Sequence, residues 1–186
     1  NHWEYQPGTA PAFRVLWDQV NDQRFLAYAL QVVGDDNTVY LKKPMSSSEL
    51  GQSIRSAEAF LNRMEAYALS GEEGLALTEL NAFRKTRVIG YTDVNLSGQA
   101  LLDEIRLERR KELCFEGHRW FDLRRQGMPE IKHTYKAEKG GAVYEYVLQQ
   151  GDPMYTLPFP NSVVLQNRAL VQNPSREMGA RQGEIQ

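Results

Sequence analysis

The 186-residue sequence predicts a mainly α-helical fold: a scaffold of paired helices carrying long irregular loops and a few short strands. Two observations predict it. From Gln52 onward apolar residues recur with the 3.6-residue helical period, and two such segments are joined by a turn as short as "SGEEG". By contrast, the first fifty residues, from "NHWEYQPGTAPAF" to "VVGDDNTVYLKKPMSSSELG", mix aromatics with Pro, Gly, Asp and Asn and hold no period. The expected organisation is therefore a loop-rich segment over 1–50, placed near a ligand surface, a helical region over 51–174 and a polar tail over 175–186.

Within the loop-rich segment, Thr38, Val39, Tyr40 and Leu41 lie between turn residues and a closing proline, which suggests one short strand. In the first helix Ile54, Ala57, Phe60, Leu61, Met64, Tyr67 and Ala68 fall on one side, with Arg55, Glu58, Asn62 and Glu65 opposite, and the helix ends near Ser70-Gly71. The second helix carries Ala76, Leu77, Leu80 and Phe83 on its apolar face. Arg84, Lys85 and Arg87 load its last turns, where cations suit the helix dipole. So short a connection requires antiparallel packing, and Ala57, Ala68 and Ala76 allow close approach, as in a tetratricopeptide-like unit. No second copy is evident in the chain, and one such unit cannot cover its own outer faces.

A third helix opens after Ser97, a suitable N-cap, and runs through "GQALLDEIRLERRKELCF"; Gly117 marks a kink before the shorter "HRWFDLRR", which Gly127 and Pro129 stop. "AVYEYVL" alternates as a hairpin arm, "MYTLPFP" reads as extended because of its two prolines, and "NSVVLQN" makes a short helical turn before the tail. Trp17 and Trp120 lie on helical patterns and read as packing residues.

The third helix places charge where apolar residues belong. Leu101, Leu102, Ile105 and Leu113 share a face, and Arg109, Glu112 and Glu116 fall in the middle of it. Buried ions are paired because unpaired ones are costly, so these residues are expected to form an ion network with one another or with Arg119, Asp122, Arg124 and Arg125. A glycosidase reading of Glu108, Glu112, Glu116 or Asp122 needs one carboxyl held neutral, which flanking arginines oppose. A nucleic-acid role fails because acids alternate with the bases and the formal net charge is -2. Cys114 and His118 have the i, i+4 spacing of two metal ligands, yet with His2 and His133 the only other histidines no four-ligand set is evident, and Cys114 reads as a small buried residue. No catalytic residue, metal or cofactor is expected.

The single cysteine leaves the redox compartment open. The sequence shows no initiator Met and no N-terminal apolar run, and reads as a processed or partial chain. No stretch approaches the roughly 20 apolar residues of a spanning helix, so a membrane attachment would need an anchor outside this chain. For sugar binding, Trp3 and Tyr5 in "NHWEYQPG" have the required character of loop aromatics flanked by polar groups, although covering the core is the commoner use of such residues.

Taken in order, "RSAEAFLNRMEAYALSGEEGLALTELNAFRKTR", "ERRKELCFEGHRWFDLRR" and "LPFPNSVVLQNRALVQNP" resemble the C-terminal part of the SusD/RagB-like nutrient-binding lipoproteins of Bacteroidetes outer membranes. Glu108, Arg109, Glu112, Leu113, Phe115, Glu116, Gly117, Arg119, Asp122 and Leu123 stand where that family's best-marked segment places them, and "NDQRF" looks like its Asp-x-Arg approach. Cys114 replaces a small apolar residue, and "QNPSRE" departs from the usual "QNPGY"-like ending.

The resemblance implies a tetratricopeptide-type helical scaffold without catalytic activity, lipid-anchored at the cell surface. It further implies partnership with a SusC-like TonB-dependent transporter and capture of an oligosaccharide or other nutrient. Family members are much longer, so the resemblance also implies an N-terminal remainder of the same protein that bears the lipid anchor. Within it, Glu108 to Arg125 is a structural hallmark rather than a ligand site. The competing expectation is a peptide-binding tetratricopeptide adaptor, which explains the first helix pair but neither "FEGHRWFDLRR" nor "LPFPNSVVLQNRALVQNP".

Overall fold

The computed structural model describes residues 11–30, 40–41, 55–136, 141–177 and 183–185. The chain divides into two compact units, Asn1–His118 and Arg119–Gln186. Trp3 and Tyr5, and the first half of the strand expected over Thr38 to Leu41, lie outside the described residues.

The first unit begins with α1 (Pro11–Arg14) and α2 (Gln23–Tyr28), followed by the short strands β1 (Ala29–Leu30) and β2 (Tyr40–Leu41), paired antiparallel with Leu30 opposite Tyr40. Its mass lies in α3 (Ser56–Leu69), α4 (Glu73–Lys85) and α5 (Gly98–Glu112). The connection from α3 to α4 is closed by Gly71 at φ 87°, a conformation that costs an L side chain about 1–2 kcal/mol, and by the Glu72 N–H donating to the Tyr67 carbonyl at 2.9 Å. Helix α3 packs on both α4 and α5 through Ala57, Leu61, Met64, Ala76, Leu80, Phe83, Leu101, Ile105 and Leu113.

That double contact shifts the buried arc of α3 away from the one read in the sequence. Ala57, Leu61, Met64 and Glu65 are its buried residues, whereas Phe60 is 46% exposed with the Arg63 guanidinium 5.0 Å over its ring. Glu65, expected on the polar side, faces α5 and pairs with Arg106 at 3.0 Å. Ser97 occupies the N-cap position of α5 without a capping hydrogen bond, and the Gly98 N–H donates instead to the Glu73 carboxylate. Helix α5 ends at Glu112 rather than continuing to Phe115, whose φ of 63° is left-handed. Trp17 sits in the bend after α1 rather than in a helix. It packs there with Phe25 and Cys114, and the ring of Phe13 meets it edge-on at 4.8 Å.

The boundary between the units falls within α6 (His118–Arg125). In the second unit this helix is stopped by Gly127 at φ 91° with the Met128 N–H on the Leu123 carbonyl. Strands β3 (Ile131–Lys136) and β4 (Val143–Leu148) pair antiparallel from Ile131 opposite Leu148 to Lys136 opposite Val143. Helix α7 (Asn161–Gln166) follows, and β5 (Glu184–Ile185) adds to β4 in the order β3-β4-β5. The extended reading of "MYTLPFP" fails at its start. Pro153–Tyr155 form a 3-10 turn, since proline suits a first helical position and the Asp152 carboxylate accepts from the Met154 N–H at 2.8 Å. The turn buries Tyr155, which stacks on Trp120 at 4.9 Å and donates its hydroxyl to the Pro129 carbonyl at 2.5 Å.

Candidate functional site

The charged face of α5 is built from the start of α2 inward. Asp22, immediately before α2, accepts from the Arg24 N–H and Nε at 3.0 Å each and from Nη2 at 2.8 Å. Clamped in this way, Arg24 points its Nη1 at two carboxylates of α5, 2.7 Å from Glu108 Oε1 and 3.1 Å from Glu112 Oε2. The Gln23 N–H on the Arg87 carbonyl and the Ile89 N–H on the Asn21 carbonyl fix this segment to the turn after α4. The "NDQRF" stretch is thus a fastening between α2, α4 and α5.

Each of the two glutamates gathers further cations. Glu108, fully buried, accepts from Arg84 Nε at 2.7 Å and lies 3.0 Å from Lys111 Nζ; Arg84 also donates to Glu104 at 2.5 Å. Glu112 receives Arg87 at 3.0 and 3.2 Å and Arg55 at 3.2 Å. Arg55 spans onward to Glu116 at 2.8 and 3.1 Å. On the neighbouring side Arg109 donates to Asn62 at 2.7 Å and lies 3.8 Å from Glu58.

Burial by itself would push the Glu108 carboxyl up, but Arg24, Lys111 and Arg84 outweigh it and hold the group at about 2. Burial acts on Glu112 in the same way, and there Arg87 and Arg24 bring it below the ordinary carboxylate value. Arg24 and Arg84 lose hydration on burial, yet their carboxylate partners raise both above the usual guanidinium value. Two acids held toward their ionised form by a cage of guanidiniums can accept hydrogen bonds but have no proton to deliver at neutral pH.

Of the residues singled out in the sequence, Arg109 and Glu112 are buried and Glu116 half-buried, all three in the first unit. In the second unit Asp122 is buried and accepts from Arg125 Nε at 3.1 Å, while Arg119 and Arg124 are exposed. The cations on Glu112 come from earlier in the chain. Sequence reasoning did not anticipate Arg24, Arg55, Arg84 or Arg87 in this role, nor the central position of Glu108. The available signal was that Arg84 and Arg87 stand at and just beyond the end of α4, whose exposed last turn already holds Lys85, which pairs with Asp93 at 2.7 Å. Among the described residues no group of three His, Cys, Asp or Glu side chains has the arrangement of a metal site, and no helix is long and apolar enough to cross a membrane.

A mainly α scaffold fastened by buried glutamates on one helix is the class of protein that the geometry defines. Residues 35–175 match the SusD family, and the chain belongs to it. No curated protein sequence matches the chain. Among solved structures, a SusD superfamily protein from Bacteroides fragilis is similar with 28% identity and a TM-score of 0.60, over 81% of this chain and 34% of that one. A SusD-like carbohydrate binding protein from Bacteroides vulgatus is similar with 23% identity and a TM-score of 0.59, over 86% of this chain and 40% of its own. A SusD-like protein from Bacteroides fragilis gives 22% identity and a TM-score of 0.53, over 74% and 30%. The chain thus spans between 30% and 40% of the length of these structures.

Proposed function

We propose that the chain is part of a non-catalytic glycan-binding protein of the outer-membrane surface, held there by a lipid anchor outside this chain, which hands an oligosaccharide to a SusC-like TonB-dependent transporter. The observation that carries this reading is membership of the SusD family over residues 35–175. The ion cluster supports it, because two of the carboxylates that a hydrolase reading could use as an acid, Glu108 and Glu112, are held below the ordinary carboxylate value by their arginine and lysine partners in spite of burial. Sugar recognition then belongs to loop aromatics rather than to α5, with Trp3 and Tyr5 the candidates and the network of Arg109, Glu112, Glu116, Arg119, Asp122, Arg124 and Arg125 structural.

Native mass spectrometry or a glycan array on the intact protein tests the reading, with thin-layer chromatography of the same glycans after overnight incubation. Retention of at least one oligosaccharide without its cleavage is expected. Cleavage products, or indifference to every glycan together with capture of peptides, would replace the reading with an enzyme or a tetratricopeptide adaptor.

A further inference from the structure

The β3–β4 hairpin of the second unit sorts its side chains by chemistry. Successive residues of a strand point to opposite faces, and the register sets Tyr135 opposite Tyr144 and His133 opposite Tyr146. The three tyrosines and the histidine therefore share one face, and Ile185 of β5 continues the row from Tyr144. Lys132, Thr134 and Glu145 fall on the other face, where Glu184 stands beside Glu145. One side of the paired strands is thus aromatic and carries no Asp, Glu, Lys or Arg.

This aromatic side is not covered as a core face would be. Tyr135 is 56% exposed, His133 is exposed, and Tyr144 and Tyr146 are half-buried, whereas the same unit buries Tyr155 completely against Trp120. Gly183, the residue before β5, shows how the Tyr146 ring lies. A Cβ added at Gly183 would stand 2.8 Å from Cε2 and Cζ of Tyr146 and 2.8 Å from the Cβ of Tyr144. The Tyr146 ring therefore reaches across the glycine and lies along the sheet instead of standing up from it. Its lower face shields the Gly183 backbone, and its upper face is turned outward beside Tyr144 and Tyr135. A ring laid flat offers its π face to an approaching molecule, where an upright ring offers only an edge.

We propose that Tyr135, Tyr144 and Tyr146, with Gly183 as the spacer that keeps Tyr146 flat, form a stacking platform for the C–H face of a neutral glycan, a contact surface additional to Trp3 and Tyr5. The inference rests on the glycan-binding reading above and gives it a site and a ligand class. A pyranose carries C–H groups on its faces and hydroxyls around its rim, so it needs an aromatic face beneath it and hydrogen-bonding groups beside it. The phenol hydroxyls and the His133 imidazole supply the second need, since each can donate or accept. The charged groups of a uronate or a sulfated sugar would meet no arginine or lysine on this face and would lose hydration there without compensation.

The test titrates the intact protein with cellohexaose, mannohexaose, xylohexaose and maltohexaose, with polygalacturonate as the charged counterpart, and follows the tyrosines by fluorine NMR after fluorotyrosine labelling. At least one neutral hexasaccharide is expected to bind, to shift the resonances of Tyr135 and Tyr146, and to keep its affinity within about twofold as salt rises. Tyr135→Ala, at the most exposed of the three rings, should weaken that binding about fivefold or more, and Tyr135→Phe, which keeps the ring, should stay within about threefold of the parent. Gly183→Ala adds a methyl group where the Tyr146 ring lies and should weaken the same ligand by displacing that ring. Binding that leaves both resonances unmoved, or that neither Tyr135→Ala nor Gly183→Ala alters, overturns the platform and leaves the glycan-binding reading standing, as does binding of polygalacturonate alone. Failure of the whole panel to bind overturns both. Should the variants not fold, the tyrosine resonances of the parent protein decide by themselves.

Discussion

Arg24 and Glu112 stand 88 positions apart in the chain, yet their side chains meet at 3.1 Å within a cluster from which water is nearly excluded. Asp22 clamps Arg24 from behind while Glu108 shares the same Nη1, so α2 is tied to α5 by charge. A pair of this kind adds little over a hydrophobic substitute but is destructive when broken from one side, because the surviving ion stays buried.

Removal of Glu112 therefore tests the cluster most directly. Glu112→Ala should lower the free energy of unfolding by roughly 3 kcal/mol, the low end of the range for one-sided breakage of a buried pair. The low end applies because Arg24 retains Asp22 and Glu108, and because Arg55 and Arg87, at 32% and 28% exposed, can recover hydration. Glu116→Ala should fall within about 1 kcal/mol, since both it and Arg55 are partly exposed. Urea titrations of the two variants give the comparison, and equal losses would mean that the cluster is not organised around Glu112. Glycan affinity of the folded fraction should be unchanged in both.

The apolar half of the same unit calls for the opposite ranking of neighbours. Leu61 and Leu80 are completely buried between α3 and α4, so Leu61→Ala and Leu80→Ala should each cost about 2–5 kcal/mol by lost transfer energy and cavity formation. Phe60→Ala, one residue from Leu61, should cost under about 1 kcal/mol because that ring is largely exposed. Thermal melts in which Phe60→Ala is the worst of the three would restore the apolar face read from the sequence.

Those two positions show what a sequence can and cannot reveal here. Periodicity located α3, α4 and α5 because Leu61, Met64, Leu80, Leu101 and Ile105 repeat with the helix, and it exposed the charged stripe because Glu112 interrupts that repeat. It misplaced Phe60 and Glu65, since the buried arc of α3 is set by two partner helices whose directions a single helix does not encode. The cations of the cluster were illegible for the same reason. Arg55 reads as a solvent-facing helix start and Arg87 as a helix-end charge until α5 is brought beside them. Tyr155 was hidden by a different cause, because the flanking prolines signalled extension and the capping action of Asp152 was not recognised. Sugar-contacting residues had no comparable signal at all, since aromatics in a loop have no period to betray which way they face.

In the second unit the hydroxyl of Tyr155 donates to the Pro129 carbonyl. Tyr155→Phe keeps the stack on Trp120 but leaves the Pro129 carbonyl without that donor, at a cost of about 1–2 kcal/mol. Tyr155→Ala removes the ring from a fully buried site as well and should cost about 3–5 kcal/mol, a loss large enough for circular dichroism melts to separate. Parity between the two variants would show that the hydroxyl, not the ring, secures the 3-10 turn.

The buried acid at the centre of the cluster makes stability depend on pH in a defined direction. Glu108 is held at about 2 in the folded chain, against 4.5 when free, because Arg24, Lys111 and Arg84 favour its charged form more than burial disfavours it. As pH falls below about 4.5 the unfolded chain takes up the proton first, so unfolding becomes easier. The contribution of this carboxylate is complete above that pH and is lost progressively down to about 2. At 1.36 kcal/mol for each unit of difference the loss amounts to roughly 3 kcal/mol, and Glu112, lowered in the same direction by Arg87 and Arg24, adds to it. Urea midpoints of the parent should therefore decline steeply between pH 5 and pH 3. Glu108→Gln, less stable at neutral pH, should decline less steeply over the same interval, with Glu112→Gln as the parallel case should the first variant be too unstable to measure. Variants whose midpoints run parallel to the parent across this interval would mean that the acid sensitivity arises elsewhere, and that the guanidinium cage does not hold these carboxylates ionised.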